Sequence, residues 1–155
     1  MSLNKTNLVK HVGLSLTAAA VLFFSNAVLA GETPASLKGA TLVDAAKVKS
    51  LIDGGAKAID ARVANEYAEG HIKGALSVPY KEKSAKAADF DASQDSIDLS
   101  KLPADKSAGL VFYCNGAECW KGYKAAAAAV KGGYKSVYWF RLGFPEWKAK
   151  GYPAE

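Results

Sequence analysis

Histidine and cysteine are scarce, with only two of each in 155 residues. One histidine, His11, lies in an N-terminal stretch and the other, His71, stands alone. No Cys/His grouping therefore has the spacing of a structural zinc site. No Cys-x-x-Cys-His haem attachment signature is present, and neither a metal nor a cofactor is expected. Charge of one sign is also weak. Lys and Arg number 20 against 15 Asp and Glu, a formal net charge of +5 that is scattered along the chain. That excludes a nucleic-acid surface, which needs concentrated basic charge. There are no internal repeats and no sign of a second domain.

The apolar stretch from Val12 to Phe24 follows a basic start at Lys5, Lys10 and His11, and Ala27-Val28-Leu29-Ala30 ends it in small residues. This pattern reads as a secretory signal over residues 1–30, cleaved after Ala30. An uncleaved anchor is the rival, but the stretch is short for crossing a bilayer. The expectation is export to the periplasm, with no stable membrane insertion after cleavage. Loss of Lys5 and Lys10 would take the net charge from +5 to +3. Gly31–Glu155 would remain, with residues 31–40 as a tail and 41–153 as a single domain large enough for its own core. An oxidising compartment makes a disulfide the default reading of two cysteines.

Hydrophobic spacing and turn residues give the organisation of the domain. Asp44 can cap a helix over Ala45–Asp53, with Val48, Leu51 and Ile52 on one face and Gly54-Gly55 as the stop. Ala58-Ile59-Asp60 reads as a buried strand, Ala64–Glu69 as a short helix closed by Gly70, and Ala75–Val78 as a strand ended by Pro79. Residues 80–106 lose periodicity and read as a polar surface excursion with one helical turn. Leu110–Tyr113 is a strand, Trp120–Lys131 an Ala-rich helix packed closely on the sheet, and Val137–Phe140 a strand. Pro145–Lys150 is a last helix with Pro145 in its first turn. Strands alternating with helices imply an α/β domain, its mainly parallel sheet covered on both faces.

Cys114 lies where the Leu110–Tyr113 strand gives way to the turn at Asn115-Gly116 and the helix from Trp120. A thiol there meets unpaired backbone N–H groups and the positive end of a helix dipole, and both favour the reactive thiolate. This is the placement of a catalytic cysteine, and it competes with the disulfide reading.

Two stretches resemble the signatures of rhodanese-like domains. The first is Ile59-Asp60-Ala61-Arg62 followed by Glu66-Tyr67-Ala68-Glu69-Gly70-His71-Ile72-Lys73-Gly74-Ala75. The second is Val111-Phe112-Tyr113-Cys114 followed by Gly132-Gly133-Tyr134, Val137-Tyr138, Gly143, Trp147 and Gly151-Tyr152-Pro153. The resemblance implies a three-layer α/β domain with a central, mainly parallel sheet flanked by helices. It also implies a sulfurtransferase that needs no metal: Cys114 takes sulfane sulfur from a small donor, becomes a persulfide, and passes the sulfur to a thiol or protein acceptor. The backbone N–H groups of Asn115, Gly116, Ala117, Glu118, Cys119 and Trp120 would cradle the anion. A monomer is expected.

Three loop positions depart from the family pattern of Gly, Arg and Ser or Thr, and carry Ala117, Cys119 and Trp120 instead. The missing Arg removes a fixed cation for an anionic donor, and Glu118 adds repulsion, so thiosulfate:cyanide activity is expected to be weak. Lys121 and Lys124 are candidates to compensate, and Arg141 to replace the lost Arg. A phosphatase is excluded, since no residue from Asn115 to Trp120 is basic and phosphoryl transfer needs such a clamp. The Cys-x4-Cys-Trp loop resembles a variant group of exported rhodanese-like proteins, some associated with quinone-dependent periplasmic oxidation. Cys119 has three open roles: a resolving thiol for the persulfide, a disulfide partner, or a small apolar filler. The rival to the carrier is a non-catalytic or redox-sensing module using a Cys114/Cys119 thiol–disulfide pair. Asp60 and Arg62 read as a structural ion pair, His71 as a loop tie through its ring N–H, and Trp139 and Trp147 as core. Reduced, separated thiols are expected at rest, with Cys114 at the floor of a shallow pocket and Lys121, Lys124 or Arg141 at its rim.

Overall fold

The computed structural model describes residues 31–155, and the expected signal segment lies outside them. Strands β1 (Thr41–Leu42), β2 (Lys57–Asp60), β3 (Leu76–Ser77), β4 (Gly109–Tyr113) and β5 (Ser136–Phe140) form one sheet in the order β1-β5-β4-β2-β3. Every neighbouring pair is parallel. The helices are α1 (Ala45–Asp53), α2 (Ala64–Glu69), α3 (Trp120–Lys131) and α4 (Gly143–Ala149).

Side chains alternate across the central strand. Leu110 and Phe112 of β4 pack with Tyr123, Ala125, Ala126 and Ala129 of α3. Val111 and Tyr113 pack on the opposite face with Ala45 and Val48 of α1 and with Phe144 and Trp147 of α4. All of these are buried, and each large one contributes about 1.5–3 kcal/mol of transfer free energy. The alanine run explains how closely α3 lies on the sheet, since methyl groups neither hold the helix off nor lose rotamer entropy. This is the three-layer α/β arrangement expected from the sequence.

The element ends differ in ways that trace to backbone bonding. Asp44 caps α1 as expected, its side chain accepting from Lys47 N–H at 2.8 Å. β3 ladders only through Leu76 and Ser77. α4 begins at Gly143, two residues before Pro145, which still falls in the first turn where its missing N–H costs nothing. The excursion holds two 3₁₀ turns, Ala92–Gln94 and Leu99–Lys101, each capped by an aspartate (Asp91 and Asp98). β1 has no counterpart in the sequence reading, being too short to leave a periodicity.

The connections place the site. β2 leads through α2 to β3 on one side, whereas β4 leads through α3 to β5 on the other. The carboxyl ends of β2 and β4 thus flank a topological switch point, the usual place for a site in an open parallel sheet. Cys114 directly follows β4 there.

Candidate active site

The position of Cys114 is fixed from three sides. Below it, the Asp60 carboxylate at the end of β2 accepts from the Tyr113 hydroxyl at 2.7 Å. Asp60 also pairs with Arg62, whose Nη2 lies 2.6 Å from Oδ2 and donates at 2.7 Å to the Gly70 carbonyl. Arg62 stacks 4.5 Å from the Phe144 ring centroid. Burial, followed by the charge and hydrogen bond of Asp60, pushes the Tyr113 phenol well above its ordinary range, so it stays a donor. Burial alone would lower the Arg62 value, but Asp60 outweighs it and the net shift is upward.

Beside Cys114, two glycines permit close backbone approach. Gly143 has φ +61°, and a Cβ there would overlap the Cys114 carbonyl oxygen and lie 3.1 Å from Gly116 N. That carbonyl accepts from Phe144 N–H at 2.9 Å. Above it, a Cβ on Gly122 of α3 would lie 3.3 Å from Cys114 Cβ, so glycine lets the helix start close over the cysteine.

The loop 114–120 closes through a Cys114–Cys119 disulfide with its Cα atoms 6.0 Å apart, inside the range a bridge requires. This corrects the expectation of reduced, separated thiols. The physical reason is the turn itself: Cys119 N–H donates to Gly116 C=O at 3.0 Å, and Gly116 takes φ +123°. The turn brings Cys119, the N-cap of α3, back over the strand end. Cys114 is 3 % exposed and Cys119 is half-buried, so Cys119 is the more accessible sulfur.

The surrounding residues divide into those at the loop and those drawn elsewhere. A recess of about 330 Å³ beside Cys119 is lined by Glu82, Lys86, Asn115, Glu118, Trp120 and Lys121. The Asn115 amide donates to Glu66 on α2, which ties the loop to that helix. Trp120 is buried edge-on to Tyr123, and its indole N–H donates to Gly31 C=O at 3.1 Å. Ala117 gives its carbonyl to Thr33. Lys121 is the one of the three basic candidates that lines the recess.

Lys124 is fully buried, 2.9 Å from Glu82 and 3.5 Å from Asp95, and does not reach the rim. Lys124 lies one turn along α3 from Lys121 on the same side of the helix, but Glu82, Ser84 and Asp95 of the excursion cover its ammonium and take it out of the recess. A larger hollow of about 500 Å³ lies there, between the excursion and α3, away from the cysteines. Arg141 pairs with Glu32 at 2.7 Å and donates to Thr33 C=O, so its guanidinium is occupied by the tail. The His71 ring Nδ1 lies 2.9 Å from Tyr67 C=O and ties its loop to α2. Sequence reading missed Thr33, Glu66 and Gly122 as parts of this site. Gly122 left a signal by breaking an otherwise good helix-former run, and Glu66 by its place in the first signature, whereas Thr33 left none.

The comparisons with known proteins agree with this geometry. The Rhodanese-like domain family model matches residues 44–150. The crystal structure of the Alr3790 protein from Anabaena sp. is 26 % identical, with a TM-score of 0.54, covering 73 % of this chain and 81 % of that one. The BH2092 protein from Bacillus halodurans is 24 % identical, with a TM-score of 0.55 and coverage of 75 % and 77 %. A thiosulfate sulfurtransferase from Pseudomonas aeruginosa shares the fold at 22 % identity and a TM-score of 0.52, over 75 % of this chain and 20 % of that one. The comparison with curated proteins gives no match. A parallel sheet with its cysteine loop at the switch point and a family match over nearly all the described residues lead to one conclusion: the chain belongs to the rhodanese-like domain family.

Proposed function

We propose that this protein carries sulfane sulfur on Cys114 and that Cys119 resolves the resulting persulfide. The Cys114 thiolate attacks the sulfane sulfur of a small donor, breaking the donor's bond to that sulfur and releasing the remainder as an anion. The Cys114 persulfide then has two exits. An acceptor thiolate, on a small molecule or a protein, attacks the terminal sulfur, becomes a persulfide itself and returns the Cys114 thiolate. Alternatively, the Cys119 thiol attacks Sγ of Cys114, the bond to the terminal sulfur breaks, and hydrosulfide leaves. The product of the second exit is the Cys114–Cys119 disulfide. An external thiol or dithiol supplies the two electrons and two protons that reopen it.

The observation that carries this reading is the disulfide between the two loop cysteines. It supports the resolving role of Cys119 over that of a filler, since a sulfur that can bond to Cys114 can also attack it. The proposal includes export to the periplasm, where such a bond persists, and a monomer working without a metal or cofactor. The same bond also favours a second reading, a redox-sensing module that never handles sulfane sulfur.

Intact mass separates the two. Reduced protein is treated with a sulfane-sulfur donor. The carrier gains one sulfur atom, Cys114→Ser gains none, and Cys119→Ser holds the added sulfur longer than the unaltered chain because its resolving thiol is gone. Failure of both the unaltered chain and Cys119→Ser to load would leave the redox module.

A further inference from the structure

The N-terminal segment Gly31–Thr33 lies across the cysteine loop as a strap. Thr33 is 1 % exposed although it lies in no helix or strand. Its N–H and its Oγ1 both donate to the Ala117 carbonyl, at 2.8 and 2.7 Å. Arg141 holds Thr33 from the other side, Nη2 donating to its carbonyl at 2.8 Å and Nε reaching its carbonyl and Oγ1 at 3.2 Å each. Glu32 pairs with the same guanidinium, and Gly31 C=O accepts from the Trp120 indole.

Two donors on one loop carbonyl have a consequence for the next amide. In a planar trans peptide the N–H points opposite the C=O. With the Ala117 carbonyl drawn to the strap, Glu118 N–H points away from it, and turning that peptide over would break both bonds to Thr33. We propose that Thr33 is a positioning residue, anchored by Arg141, that fixes the 117–118 peptide so that Glu118 N–H serves the Cys114 sulfur anion once the disulfide is reduced. This rests on the reading of Cys114 as the sulfur carrier. It gives Arg141 a different part from the donor clamp expected of it, acting on the anion through the strap and the loop backbone.

The test is a titration of Cys114 in the full chain, made in a Cys119→Ser background so that one thiol reports. Alkylation by iodoacetamide is followed against pH, with the melting temperature measured on each protein. Thr33→Val keeps the volume and the backbone donor but loses the hydroxyl, and Arg141→Gln loosens the anchor. Each should raise the Cys114 pKa and slow alkylation at neutral pH by about 3–10-fold, the scale of a weakened hydrogen bond to an anion. Thr33→Ser, which restores the hydroxyl, should return the original profile. An unchanged titration in both variants, with or without a lower melting temperature, would make the strap a fold stabiliser only and overturn the proposal. No sulfur donor enters this assay, so it answers for the strap whether or not Cys114 loads sulfur.

Discussion

Lys124→Met isolates the buried charge network that joins the excursion to α3. The Lys124 side chain is fully buried, with Nζ 2.9 Å from Glu82 and 3.5 Å from Asp95, whose side chains are 12 % and 1 % exposed. It also donates to Ser84 Oγ at 2.8 Å. Methionine fills a similar volume, so the cavity contribution is small. What is lost is the counter-charge of two shielded carboxylates, and breaking a buried pair in this way costs about 3–5 kcal/mol. Asp95 keeps its bonds from Tyr80, Lys83 and Ser84, which favours the lower end. At about 3 kcal/mol, and about 4 °C per kcal/mol for a domain of this size, the melting temperature should fall by about 12 °C. Thermal unfolding followed by circular dichroism measures it, and adding Glu82→Gln to the variant should recover part of the loss. A fall below about 3 °C would refute the reasoning. So would loss of sulfur loading at an unchanged melting temperature, which would return Lys124 to the cysteine loop.

Acid should act through the same network. Asp95 is buried, which by itself raises its pKa, but hydrogen bonds from Ser84, Lys83 and Tyr80 hold it below the usual carboxylate range. A depressed folded value gives stability that is present above the unfolded pKa of about 3.9 and lost as pH falls toward the folded one. Melting temperature measured across that window should drop, and Asp95→Asn should start lower and lose less on acidification. Gly143→Ala would force a Cβ into the Cys114 carbonyl and a left-handed backbone on alanine, so a loss above about 2 kcal/mol is expected in urea unfolding. Near-neutral behaviour there would mean that the loop is free to shift. Glu118→Gln removes an exposed negative charge beside the recess and should raise thiosulfate:cyanide turnover, with a gain that shrinks in added salt. A lower rate instead would make Glu118 a participant in the reaction.

Much of the fold was legible because its signals are local. Asp44, the Val48 face and Gly54 define α1 within a dozen residues, and the alanine run defines α3 by composition alone. β1 was not legible, because two residues carry no period and exist as a strand only through pairing with β5. The site divides in the same way. The place of Cys114 at a strand end follows from sequence, whereas the fates of Lys124 and Arg141 depend on partners 42 and 109 residues away. A lysine on the first turns of a helix can face the loop or a neighbouring excursion, and only the packing of that excursion decides which. Thr33 is the extreme case: a threonine outside any helix or strand has no local pattern to mark it, yet its N–H and hydroxyl both bond the Ala117 carbonyl in the loop.

The cysteine at position 119, where the resemblance leads one to expect Arg, and the disulfide share one physical logic on the proposed function. A guanidinium at that position would be a permanent cation with a planar fork, suited to holding an anionic donor against the loop. Cys119 has no such charge, and the neighbouring Glu118 makes the approach of a dianion less favourable still. What position 119 offers instead is a second sulfur at the N-cap of α3, half-exposed, within bonding reach of the buried Cys114. An incoming thiolate meets Cys119 first, and its attack there would expel Cys114 as a thiolate under the start of α3, where the helix dipole favours the anion. On that reading, Cys at position 119 in place of the expected Arg would replace donor clamping with thiol exchange. The half-exposed sulfur would, on the proposed function, take up the reductant, and the buried one would be returned in the form that accepts sulfur.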